Sequence, residues 1–81
     1  MKWFLIYMVL SSPGEWEVPE GFGPSAHPNQ QACETSGMYW VNAHGVAENE
    51  TLACIEAPGS DAAIAKFREI LRSIESGMFV N

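Results

Sequence analysis

Eight consecutive apolar residues, Trp3 to Leu10, follow a single lysine, and Ser11-Ser12-Pro13-Gly14 ends the run. A strand with one wet face alternates apolar and polar positions, so an unbroken run predicts a strand covered on both faces. One cover is expected from the chain's own helices and the other from a second copy of the protein. Pro13 and Gly14 suit a type II turn. Beyond them Glu15-Trp16-Glu17-Val18 alternates polar with apolar, the pattern of a half-exposed strand. Together these predict a hairpin in which Glu15–Val18 pairs back on Met1–Leu10. Pro19 ends it, because proline has no donor for a ladder. Residues 19–28, rich in Pro and Gly, read as an ordered connection in which Phe22 anchors on the edge of the core.

Asn29 is a favourable helix N-cap, and residues 30–44 place Cys33, Gly37, Trp40, Val41 and His44 on one side of a helix. Gly37 opposes this at about 1 kcal/mol relative to alanine. A shorter helix ending at Gly37, followed by a strand over 39–44, is the alternative; the longer helix is preferred because the short one leaves a long structureless stretch. Thr51–Ala57 is a second mostly apolar strand. Pro58-Gly59-Ser60-Asp61 then switches strand to helix, with Ser60 as cap and Asp61 at the positive end of the helix dipole. Ala63, Ile64, Phe67, Ile70, Leu71 and Ile74 form one apolar helical face. Gly77 suits a helix stop, and residues 78–80 suit a short edge strand. The expected fold is α+β: one domain over 1–81, a two-layer sandwich with a small antiparallel sheet of three or four strands and both helices on one face. The alternative, with residues 38–44 as strand, is the ferredoxin-like order βαββαβ. Both leave one sheet face free of helices.

The stretch Leu52–Asp61, LACIEAPGSD, resembles the strand-to-helix junction of small ferredoxin-like domains related to the dimeric α+β barrels. Separately, Gly21-Phe22, Ala32-Cys33-Glu34 and Cys54-Ile55-Glu56, after an apolar first strand, are similar to very short uncharacterised α+β proteins of aquatic bacteria and their phages. The first resemblance implies a pocket between sheet and helices, and some members of that group are monooxygenases. It transfers no catalytic residue, because no catalytic motif of that group is reproduced here. The second implies no activity.

Charge narrows the function classes. The formal net charge is −6, and the four basic residues, Lys2, Lys66, Arg68 and Arg72, cannot build a basic surface of useful size. Binding to nucleic acid or to an anionic membrane is therefore not expected. The N-terminal apolar run is far below the ~20 residues of a membrane span, and no small-x-small cleavage site follows it. A cytoplasmic location is the expectation.

Cys33 and Cys54 are a candidate thiol pair. In a cytoplasmic chain they are expected to be buried, reduced and inert, with a disulfide or a reactive pair as alternatives. With His27 and His44 they make four metal-ligand types, but their spacing matches no paired-ligand pattern, and no metal or other cofactor is expected. Glu15/Glu17 and Glu48/Glu50 read as solvated pairs rather than acid–base machinery. There is no nucleophile elbow and no phosphate loop. On the first strand Phe4, Ile6, Met8 and Leu10 suit a core beneath helices. Trp3, Leu5, Tyr7 and Val9 carry an indole N–H and a phenol O–H, the composition of an interface. The expected function is a small non-catalytic interaction or structural module, a homodimer formed through Trp3, Leu5, Tyr7 and Val9 on the helix-free face, with a further protein partner admitted. The alternative is a small-molecule-binding or enzymatic domain with a pocket lined by Trp40, His44 and Phe67.

Overall fold

The computed structural model of the chain describes residues 1–75. The chain order is β1 (Lys2–Ser12), β2 (Glu15–Glu17), β3 (Ser25–His27), α1 (Gln30–His44), β4 (Glu50–Ala57) and α2 (Ser60–Glu75). The α+β class is as expected, with a four-stranded antiparallel sheet and two helices. The strand expected at residues 78–80 and the stop expected at Gly77 lie outside the described residues.

β1 is the hub of the sheet, and each of the other strands pairs with it. On one edge its N-terminal part takes β3, with Trp3 opposite His27 and Leu5 opposite Ser25. Its C-terminal part takes β2 on the expected hairpin, with Leu10 opposite Trp16. Gly14, at φ +79°, supplies the left-handed turn residue. β4 lies along the other edge in one register from Lys2↔Ala57 to Val9↔Glu50. Strands β3 and β4 are both antiparallel to β1 and so parallel to each other, and α1 crosses over β1 to join them.

That crossing corrects one expectation. The two helices lie on opposite faces of the sheet, and no face is free of helices. α2 covers the even positions of β1: Phe4, Ile6 and Met8 are buried with Ile55, Ala57, Ala63, Phe67 and Leu71 in one cluster. α1 covers the odd positions. A Cβ on Gly37 would meet Leu5 Cδ1 at 3.3 Å and Leu52 Cδ2 at 3.9 Å, and Trp40 stacks on Tyr7. With no Cβ at Gly37, α1 packs close over the side chains of Leu5 and Leu52. The unbroken apolar run does mark a strand covered twice, but its second cover is α1 rather than another copy.

α1 runs without interruption over residues 38–44, so the strand that the ferredoxin-like alternative places there does not form. Asn29 caps it as expected, its side chain accepting from the Ala32 N–H at 2.8 Å. At the other end Gly45, at φ +73°, donates its N–H to the Val41 carbonyl at 2.7 Å. The segment read as a connection contains β3, three residues long and without an apolar–polar alternation to announce it.

Candidate functional site

The polar and reactive side chains singled out from the sequence gather on the α1 side of the sheet. Cys54 lies opposite Leu5 in the β1–β4 register and therefore shares the α1 face. Cys33 sits one turn before Gly37, on the stripe of α1 closest to that face, and is fully buried. The two are joined by a disulfide, with Cα atoms 6.0 Å apart. This corrects the expectation of two reduced, inert thiols. Both cysteines are held where helix meets strand, well inside the separation a disulfide requires.

Further along the same face Tyr7, half-buried, donates its phenol O–H to Glu50 Oε2. The Ala47 N–H donates to the other carboxylate oxygen at 2.7 Å. The bond to Glu50 raises the Tyr7 phenol above its ordinary range, reinforced by desolvation and by the carboxylate's charge. The same bond, with that from Ala47, holds Glu50 below the usual carboxylate range against a smaller opposing effect of burial. At neutral pH the pair is thus a neutral phenol donating to a carboxylate.

Tyr7 is also the middle of an aromatic row. Its ring centroid lies 5.4 Å from that of Phe22 and 4.6 Å from that of Trp40, and Trp40 lies 4.8 Å from the His44 ring. Two hollows flank α1. On the β3 side, a cavity of about 200 Å³ is lined by Tyr7, Phe22, Trp40, Leu5, Leu52 and Ser25 among others. On the β4 side, an open groove of about 730 Å³ runs past Met38, Val41, Val46, Leu52 and Glu50. Met38, Tyr39, Val41 and Val46 are 67, 78, 40 and 44 % exposed, an apolar strip along the outer flank of α1.

β4 is an edge strand, and its hydrogen-bond phase can be read from its partners. Leu10 donates to the Asn49 carbonyl at 2.8 Å. Antiparallel bonding alternates along the ladder, so Thr51, Ala53, Ile55 and Ala57 bond to β1, and Glu50, Leu52, Cys54 and Glu56 turn their backbone groups outward. Two contacts agree with this phase: the Glu50 N–H goes to the Ala47 carbonyl at 3.0 Å, and the Glu56 carbonyl accepts from Lys66 Nζ at 3.2 Å. Among the described residues no strand pairs with the outward groups of Leu52 and Cys54.

The other candidates separate. Trp40 and His44 are neighbours, but Phe67 is buried on the far side of the sheet under α2, so the pocket expected from Trp40, His44 and Phe67 is not assembled. Trp3, Leu5, Tyr7 and Val9 share one face as expected, each partly exposed beside α1 rather than on an open sheet. His27 Nε2 lies 3.0 Å from Ser25 Oγ. Phe22, expected to anchor on the edge of the core, is instead half-exposed against Tyr7 on the α1 face. Sequence reasoning missed the free edge of β4; the i, i+4 spacing of Cys33 and Gly37 was the available sign that α1 docks through small residues. Among the described residues no helix is long and apolar enough to cross a membrane. Comparison with protein-family models, curated proteins and solved structures finds no match.

Proposed function

We propose that the protein is a small non-catalytic interaction module that self-associates through the free edge of β4. The contact expected on a sheet face is thereby moved to the sheet edge. One observation carries this reading: the outward backbone groups of Leu52 and Cys54 run beside the exposed apolar strip of Met38, Val41 and Val46. Unblocked edges template the addition of another strand.

Two copies related by a twofold axis perpendicular to the sheet pair each residue with a partner pointing to the same face. Centring the axis on Cys54 sets Leu52 opposite the partner's Glu56, uses the outward groups of Leu52 and Cys54 with the outward N–H of Glu56, whose carbonyl is held by Lys66, and keeps Glu50 away from Glu56 across the seam. Both α1 helices then lie on the same side, and their apolar strips face each other over it.

The Cys33–Cys54 disulfide bears on where the module works. Such bonds persist in oxidising surroundings, which favours an oxidising compartment over the cytoplasmic location expected from the sequence. The enzymatic alternative has lost support, because Phe67 is on the opposite face from Trp40 and His44.

Light scattering coupled to size exclusion tests the reading. A dimer is expected at high micromolar concentration, and Glu56→Pro, which removes one outward N–H from an exposed position, is expected to yield a folded monomer. A monomeric wild type at that concentration would overturn the proposal, as would an unaffected Glu56→Pro dimer.

A further inference from the structure

The cavity on the β3 side of α1 has walls of an uncommon kind. Phe22 and Trp40 each stack against Tyr7, and no ring contact joins Phe22 to Trp40. All three rings line this cavity, together with Leu5 and Leu52. Phe22 comes from a loop and is 48 % exposed, so part of its ring is open to a bound group.

The polar side chains at this cavity are already committed. The Tyr7 hydroxyl donates to Glu50, and Ser25 Oγ is 3.0 Å from His27 Nε2. A sugar or other ligand that needs several hydrogen bonds would find few. What remains is three aromatic rings lining one hollow, with an ionised carboxylate one hydrogen bond from the middle ring. No lysine or arginine lines the space, and the chain carries a net charge of −6. A methylated ammonium is the group that profits from both features: it is cationic, it wets apolar walls, and it has no N–H to satisfy.

We propose that Tyr7, Phe22 and Trp40, backed by Glu50, form a binding site for the trimethylammonium group of a small solute. The volume of about 200 Å³ suits such a headgroup rather than a drug-sized molecule. The cavity opens on the β3 side of α1; Leu5 and Leu52 line both it and the β4-side groove, and Glu50 lines that groove while holding the Tyr7 hydroxyl.

Choline is the probe, titrated into the full chain while the indole N–H of Trp40 is followed by NMR. Saturable binding in the millimolar range is expected. The neutral carbon isostere 3,3-dimethyl-1-butanol has nearly the same shape and should bind at least about tenfold more weakly, because it forfeits the cation–π and carboxylate terms. Glycine betaine, carrying a carboxylate that Glu50 repels, should also bind more weakly than choline. Phe22→Ala and Glu50→Gln should each weaken choline by about threefold or more. Phe22 is half-exposed on a loop, so its variant tests the wall without dismantling the core; far-UV circular dichroism verifies that it is folded. Equal affinity for choline and its isostere would reduce the site to an apolar hollow and overturn the proposal. So would absence of saturation up to about 100 mM choline, an affinity too weak for a recognition site, or a Phe22→Ala variant that binds unchanged.

Discussion

Reducing the Cys33–Cys54 bond should cost the protein a large part of its stability. The bond spans a sequence separation of 21 residues. For a loop of that length the chain-entropy relation gives about 3.3 kcal/mol of stabilisation, through restriction of the unfolded chain. A domain of this size has a total of roughly 4–12 kcal/mol, so the bond accounts for between a quarter and most of it. Unfolding a chain of this length carries an entropy of about 0.17 kcal/mol/K near its midpoint, and the loss translates into a fall in Tm of about 20 °C. Replacing both cysteines with alanine should fall slightly further than reduction, because the site at Cys33 is fully buried and loses packing atoms. Thermal and urea unfolding followed by circular dichroism, on oxidised protein, reduced protein and Cys33→Ala/Cys54→Ala, measure both effects. Thiol titration of the oxidised protein after unfolding should find no free thiol. Two free thiols per chain, or oxidised and reduced proteins that melt together, would refute the reasoning.

Two further outcomes follow from the same face. Tyr7→Phe should destabilise the protein at neutral pH and progressively less at both extremes. The depressed Glu50 carboxylate contributes stability above the ordinary carboxylate range near 4.3 and loses it as pH falls through its lowered value; the raised Tyr7 phenol contributes below about 10 and loses it as pH rises through its raised value. Urea midpoints of wild type and variant across pH test this, and a gap that does not vary with pH contradicts it. Gly37→Ala should remain within about 0.5 kcal/mol of wild type in urea unfolding, as a helix-propensity gain near 1 kcal/mol offsets displacement of the flexible Leu5 side chain. Gly37→Leu should lose about 2 kcal/mol or more in the same measurement, since its branched side chain has no space between α1 and the sheet.

The parts of the fold written in strong local signals were legible. The Pro13-Gly14 turn, the Asn29 cap and the apolar stripe of α2 each depend on a few adjacent residues, and the hairpin and both helices form where those signals put them. Alternation along β1 also assigned Phe4, Ile6, Met8 and Leu10 to the core, and the first three are buried while Leu10 is only partly so. The side of the sheet that α1 covers was not legible. The closest approach of α1 to the sheet is through the small residues Cys33 and Gly37, with Trp40 beside them, while Met38, Tyr39 and Val41 on its outside carry an equally strong apolar signal. Helix placement here follows from a crossover connecting β3 to β4 over β1, and β3 is too short for its sequence to reveal it. The disulfide was missed for a related reason. Residue types admitted the pair, but the 6.0 Å separation exists only once α1 is known to cross the odd face of β1. The aromatic row depended likewise on a loop: nothing within residues 19–28 says that Phe22 turns toward Tyr7.

The central position of β1 has a consequence for how the protein is made. The strand on which all the others pair is synthesised first, while its longest partner, β4, is completed only at Ala57. At roughly 5–20 residues per second a ribosome needs several seconds to deliver that partner. During the interval Trp3 to Leu10 is an apolar segment with at most its short hairpin for cover, the kind of surface that holdase chaperones retain. The register with β4 is also long-range in sequence, so closing the sheet is a slow step compared with winding either helix. Cys33 waits as well, because its partner emerges 21 residues later. The bond, once formed, ties α1 to the last strand that the sheet receives.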